Sequence, residues 1–389
     1  MKDRLLHTPE GVRDIYGSEC VLKHGLEERL QGLMRLNGYD MIETPVFEYF
    51  EVFGEKRGTA RPKDMYRFFD REGNTLVLRP DMTPSVARCA ARYYKDRKDP
   101  VRIAYCGSTF INSSEYQGKP RQSTQLGAEL IGDSSAFADA EMIALTVECL
   151  LEAGLTQFQV EIGETAFFAA VADEAGIKGE EYDELVRLIT DKNIFGIEDL
   201  LKREGLDEKY RKLFLALPSL FGSFERLEDF KKLTDNKIAT EAIERLEKIY
   251  EIMKVYGYDD YIGFDLGKLS SYRYYTGIIF NAYTYGLGEA LIAGGRYDKL
   301  AGQFGNDRPA VGMAVYVERM MEALVRNGCV RGEHEKTKTA VVAPNEASYA
   351  KALKKVRELR KNGKAAFIRV DEQCETGDLA EDTGAIIIE

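Results

Sequence analysis

The feature that most constrains this chain is a break in its hydrophobic period. From about Ala166 to Val255 the pattern is charged, leucine-rich and helical, with almost no strand signal. Strand signals precede this block and resume at Tyr261. A helical block inside a strand-bearing chain reads as an inserted subdomain, here 166–257, within a core spanning 1–327. A polar linker, GCVRGEHEKTK (328–338), leads to a small β-α-β-β tail at 339–389.

Before the insertion, Leu22, Leu26, Leu30, Leu33 and Met34 mark one helical face, stopped by Gly38. YDMIETP (39–45) alternates as a strand, and Met65 to Pro80 reads as a hairpin about the turn DREGN. Thr83 is expected as a helix N-cap, with Pro84 at the first helical position. VRIAYC (101–106) and QLGAELIG (125–132) read as strands, followed by a helix from about Ala136 to Ala153 and a strand at 156–163. Strands follow at 261–267, 278–285 and 289–295, and a helix at VERMMEALVRN. The hairpins predict an α+β fold: an antiparallel sheet with flanking helices, not a doubly wound one.

Composition narrows the function. A length of 389 residues exceeds one ordinary domain, and 44% apolar content supplies ample core. No apolar run reaches membrane length and Met1-Lys2-Asp3-Arg4 begins no signal peptide, so the expectation is cytoplasmic, with no membrane partner. Six cysteines and three histidines are scattered without metal-ligand spacing, which predicts reduced thiols, no metal and no cofactor. A net charge of −11 argues against a nucleic-acid partner, whose phosphates demand a basic face.

One stretch concentrates polar aromatic groups. LSSYRYYTGIIFNAYTY, Leu269 to Tyr285, holds five of the 22 tyrosines but a single charge, Arg273. Buried tyrosines need hydroxyl partners, so the cluster points to a pocket. It offers no evident acid, base or nucleophile.

Several segments, in order, resemble the class II aminoacyl-tRNA synthetases, histidyl-tRNA synthetase most closely. TPEGVRDIYG is similar to that family's opening and GYDMIETPVFE to its first, dimer-forming motif. LRPDMTPSVAR with YCGSTFINSSEYQGKPRQSTQLGAELIG resembles the second-motif region. YRYYTG, AGGRYDKL and PAVGMAVYVERM resemble the tyrosine signature and the third motif. Together these span most of residues 8 to 325, and their order and spacing carry the resemblance.

Amino-acid activation joins a carboxylate to the α-phosphate of ATP, so it needs cations aimed at phosphoryl oxygens. The resemblance implies an arginine directly after Phe110, but Ile111 stands there. It implies a second arginine four residues before the tyrosine pair, at Ser270. Losing one such cation typically costs ~10²-fold or more in rate. Arg273 occupies the signature's acidic position, three residues along, and points to the other face of an extended segment. In the third motif Tyr316 replaces a glycine, while Arg319 persists as a remnant of the nucleotide site. The amino-acid side is better kept. The resemblance assigns Asp81 to the substrate ammonium, and Thr83, Gln125, Glu129, Tyr274 and Tyr275 to a histidine-like pocket.

Retained ligand groups without phosphate-handling cations describe a sensor. The regulatory subunits of ATP phosphoribosyltransferase are relatives of histidyl-tRNA synthetase, and the resemblance implies that role. The expected partner is the short-form catalytic subunit, which joins ATP and phosphoribosyl pyrophosphate in the first step of histidine biosynthesis. A self-dimer within a hetero-oligomer, and histidine as effector, are implied in the same way. The tail resembles the start of an anticodon-binding domain. The alternatives are a working histidyl-tRNA synthetase or a synthetase-like enzyme that activates another amino acid. Both need the missing cations.

Overall fold

The computed structural model describes residues 6–54, 60–113, 120–269, 274–305, 307–330, 338–370 and 383–387. They fall into two compact units, Met1–Arg13 with Leu26–Cys329, and Asp14–Gly25 with Val330–Glu389. Helix α1 (Gly17–Leu36) leads to β1 (Asp40–Ile42), β2 (Phe47–Tyr49), β3 (Arg67–Phe69) and β4 (Thr75–Leu78). Then come α2 (Thr83–Tyr93), β5 (Val101–Phe110), β6 (Gln122–Ile131), α3 (Ala136–Ala153) and β7 (Phe158–Glu164). The helical block holds α4 (Thr165–Glu174), α5 (Gly179–Thr190), α6 (Ile194–Arg203), α7 (Glu208–Ala216), the two-residue β8 (Phe221–Gly222), α8 (Arg226–Lys231) and α9 (Lys237–Tyr256). The core resumes with β9 (Ile262–Asp265), β10 (Ile278–Thr284), β11 (Ile292–Arg296), β12 (Ala310–Tyr316) and α10 (Val317–Arg326). The second unit carries β13 (Lys338–Ala343), α11 (Glu346–Lys361), β14 (Ala366–Val370) and β15 (Thr383–Ile387).

The main sheet runs β1-β5-β6-β12-β11-β10-β7-β9-β8. Its centre, from β5 through β7, is antiparallel as the hairpin pattern predicts. Towards its ends it is mixed, because β1 pairs parallel with β5 and β9 parallel with β7. The β3–β4 hairpin appears as expected, and β2 joins it in a separate three-stranded sheet. Strand β12, central to the main sheet, carries no legible strand signal in the sequence. Its residues are buried with little alternation, so period-two patterning is lost.

Cross-strand partners share a face of a sheet, and this divides the main sheet chemically. Leu126, Ala128 and Leu130 of β6 lie beside Val315, Met313 and Val311 of β12. Helix α3 covers this aliphatic face, where the Thr146 hydroxyl, donating to the Met142 carbonyl at 3.0 Å, lies 3.2 Å from Met313 Sδ. Ser135 caps α3 by accepting from the Ala138 amide, and Gly154 ends it in the left-handed region. Gln125, Gly127 and Glu129 occupy the opposite face with Tyr105, Gly312 and Gly295. That face is floored by small residues, so side chains can lie flat across it.

In the second unit β13 pairs parallel with both β14 and β15. Helix α11 packs on β13 and β14 around Val341, Ala352, Val356 and Leu359. Asn345 begins it with a capping box to Ser348. No described helix is long and apolar enough to cross a membrane.

Candidate functional site

The centre of the glycine-lined face is one acid, Glu129. It is 1% exposed, although a half-solvated strand would leave it outward. Thr83 Oγ1 donates to its Oε1 at 3.0 Å, Tyr105 Oη to the same oxygen at 3.3 Å, and Tyr297 Oη to Oε2 at 2.5 Å. Gly312 makes room for it: any Cβ there would overlap the Glu129 carboxylate. Burial pushes the Glu129 pKa up to about 8, with Asp81 adding to the rise, while the hydroxyls of Tyr297, Thr83 and Tyr105 pull it down. Burial outweighs the hydroxyls because removing a carboxylate from water costs more than three neutral donors return. A carboxyl that keeps its proton towards pH 8 can itself donate to one of these hydroxyl oxygens.

Thr83 corrects the sequence expectation. It is the first residue of α2 and not its cap, since Met82 holds the cap position without a side-chain bond. Its hydroxyl serves Glu129 in place of a helix amide. The Met82 amide itself donates to Asp81 Oδ1 at 2.8 Å and to Gln125 Oε1 at 3.3 Å. Asp81, Thr83, Gln125 and Glu129 are therefore gathered at one place, all buried. Arg79 holds this turn down by donating to the carbonyls of Thr44, Pro45 and Ser108.

The tyrosine pair completes the wall. The rings of Tyr274 and Tyr275 lie 4.5 Å apart, and Tyr274 meets Tyr297 edge-on at 6.0 Å. Tyr274 belongs to the same core as Tyr105, Tyr297 and Met82, with Tyr275 packed against it. Tyr275 lies flat over Gly295, where a Cβ would stand 2.6 Å from the ring. Tyr275 also lines an open cleft of about 1070 Å³ between the sheet face and α5. Ile279, Asn281 and Ala293 form its floor, and Tyr182, Asp183 and Arg187 of α5 its far side.

The phosphate end is different. Ile111 follows the last residue of β5, is exposed, and offers only its backbone amide, which donates to the Arg121 carbonyl. Ser270, the other expected cation position, and Arg273 lie outside the described residues. Arg319 lines the cleft, but its guanidinium lies 4.3 Å over the Tyr316 ring. Its Nε pairs with Glu289 at 2.8 Å and its Nη1 donates to the Ala290 carbonyl at 3.0 Å. Tyr316 thus faces the cleft and covers one side of the Arg319 guanidinium. Among the described residues no group of three acids, cysteines or histidines could hold a metal ion.

The sequence pattern does not single out Tyr105 and Tyr297, which join Thr83 as direct partners of Glu129. The signal is present in VRIAYC and AGGRYDKL, with Tyr105 inside β5 and Tyr297 just after β11, but the pairing spans 168 residues in one case.

Comparison with known proteins agrees with this architecture. Residues 11–320 match the family model described as histidyl-tRNA synthetase. The ATP phosphoribosyltransferase regulatory subunit of Acetivibrio thermocellus is 36% identical over 372 residues, covering 95% of this chain and 88% of that protein. The regulatory subunit of the same name from Caldanaerobacter subterraneus is 37% identical, covering 96% and 97%. A Bacillus halodurans structure described as an ATP phosphoribosyltransferase regulatory subunit/histidyl-tRNA synthetase has a TM-score of 0.89 at 31% identity, over 99% of this chain and 98% of its own. Histidyl-tRNA synthetase from Nostoc shares the fold alone, at a TM-score of 0.79 and 21% identity over 94% and 86%. With identity across nearly its whole length and a superposable fold, the chain belongs to the ATP phosphoribosyltransferase regulatory subunit family, a branch of the histidyl-tRNA synthetase-like class II fold.

Proposed function

We propose that the chain is the regulatory subunit that activates short-form ATP phosphoribosyltransferase in the first step of histidine biosynthesis, and that it has no synthetase activity of its own. The observation that supports the loss of chemistry is the state of Arg319. Its flat face is covered by Tyr316 and its edge is engaged by Glu289 and the Ala290 carbonyl. A cation held this way is not directed at an incoming phosphate, and Ile111 supplies none. The amino-acid side keeps Asp81, Thr83, Gln125, Glu129, Tyr274 and Tyr275, which suits recognition without reaction.

Histidine is the effector in this reading. Its imidazole N–H replaces one hydroxyl on Glu129, with Tyr275 as the aromatic wall. Regulation then requires only that two assembly states bind histidine differently, a coupling of typically ~1–3 kcal/mol. A dimer through the first motif forms the self-associating core of the hetero-oligomer.

The test mixes the chain with a short-form catalytic subunit and follows phosphoribosyl-ATP formation with and without histidine. Activation and co-elution are expected, and Tyr275→Phe should blunt histidine inhibition more than assembly. No activation and no co-elution would remove the regulatory reading. A pyrophosphate-exchange assay with histidine and ATP checks the lost chemistry, and robust exchange would overturn it.

A further inference from the structure

Both walls of the open cleft trace back to one buried carboxylate outside it. Asp139, in the first turn of α3, is fully buried. Arg296, at the end of β11, donates from Nε to Asp139 Oδ1 at 2.8 Å and approaches the same oxygen with Nη2 at 2.7 Å. Arg245, on α9, grips the other oxygen from Nε at 2.6 Å. Each guanidinium also bonds the turn before α3, Arg245 through the Ser134 carbonyl and Arg296 through the Asp133 carbonyl.

The Arg296 arm leads to the tyrosine wall. The Arg296 carbonyl accepts from the Thr276 amide at 2.8 Å, and its Nη1 donates to Asp298 at 2.9 Å. The Asp298 amide returns to Thr276 Oγ1 at 3.0 Å. The stem of Arg296 also lies against Gly277, where a Cβ would sit 3.1 Å from Arg296 Cδ. Thr276 directly follows Tyr275, so this arm fixes the near wall.

The Arg245 arm leads to the far wall. Helix α9 packs against α4 as well as α3. Phe168 of α4 meets Tyr182 of α5 at 5.2 Å, and both line the cleft. The two arms rejoin where the insertion leaves the sheet, because Thr165 at the start of α4 donates through N and Oγ1 to the Gly277 carbonyl. Glu164 lies buried at this joint, capping the Ala166 amide through Oε1 while Oε2 has no hydrogen-bond partner. Burial pushes its pKa up to about 8, so it stays neutral beside a cluster in which Asp139 and Asp298 balance Arg245 and Arg296.

We propose that Asp139 is a positioning residue for the cleft, holding the Tyr275 wall through Arg296 and the α5 wall through Arg245, so that one carboxylate sets the cleft's width. A buried carboxylate shared between two guanidiniums, one on each oxygen, is geometrically stiff, which suits it to this task. The inference goes beyond the regulatory reading and does not require that histidine binds.

The chain contains no tryptophan, so Tyr182→Trp places a single reporter on the α5 wall. In that background Asp139→Asn and Arg245→Met should each raise acrylamide quenching by about twofold or more, as a locally opened element would. Amide exchange at Thr276 should accelerate in Asp139→Asn but not in Arg245→Met, which leaves the Arg296 arm intact. Phe53→Ala, in the separate core cluster with Val52, Met65 and Val77, supplies a general loss of stability for comparison. Its quenching should match the parent, and Arg245→Lys should restore most of the Arg245→Met change. Unchanged quenching in Arg245→Met would overturn the proposal, even where Asp139→Asn fails to fold. An equal rise in Phe53→Ala would overturn it too.

Discussion

Replacing Glu129 with glutamine should remove a measurable slope from the pH dependence of stability. Glu129 is fully buried, and its pKa is raised from the ordinary 4.5 to about 8. The unfolded chain loses this proton near the ordinary value, whereas the folded chain holds it until about pH 8. Between those limits the folded state binds the extra proton, so stability falls as pH rises, by about 1.4 kcal/mol per pH unit for one group. The stabilisation is complete below the ordinary value and lost as pH climbs through the folded one. Glutamine keeps the shape and can still meet the hydroxyls of Thr83, Tyr105 and Tyr297, but it does not titrate. Urea unfolding from pH 5 to 8, followed by tyrosine emission, measures the slope. Glu164 contributes a second slope of the same sign, since its pKa also rises to about 8. Glu129→Gln should therefore reduce the slope by one proton, and Glu129→Gln with Glu164→Gln by two. An unchanged slope in Glu129→Gln would mean that the three hydroxyls hold Glu129 ionised, and that burial had been given too much weight.

Other outcomes follow from packing. Gly312→Ala places a methyl group where the Glu129 carboxylate lies, and should cost about 1–3 kcal/mol by urea midpoint. Tyr316→Gly with Glu289→Gln removes the ring and the carboxylate that engage Arg319, and should tighten ATP binding by about tenfold in calorimetry, given what such exposed contacts contribute. Asn345→Ala breaks the capping box of α11 and should cost about 1 kcal/mol, with faster amide exchange in the helix's first turn.

Local rules in the sequence carried much of the core. Ser135 and Gly154 bound α3 where the apolar period begins and stops. The hairpin about Asp70–Asn74 closes as its turn residues predict, with the Asn74 amide donating to Asp70. The helical block is legible because a 3.6 period runs through most of it, broken only by the Leu217–Ser219 turn and the two-residue β8 among its described elements. The side-chain pattern marks strands only at 101–106 and 125–132, whereas β5 runs on to Phe110 and β6 begins at Gln122. Polar residues such as Ser108 and Gln122 extend them through backbone pairing that side-chain patterns do not report.

By itself, then, the sequence determined the class of fold and the ordered motifs that carry the family resemblance. Only the tertiary structure decided what the residues do to one another. Thr83 left its expected capping role for a buried carboxyl 46 residues away, because an unsatisfied acid in the core costs more than an uncapped helix end. Tyr297 reached Glu129, Tyr316 settled under Arg319, and Arg245 and Arg296 converged on Asp139 for the same kind of reason. Hydrogen bonds and charge pairs across a sheet face are set by strand register and burial, and no local period in the chain records them.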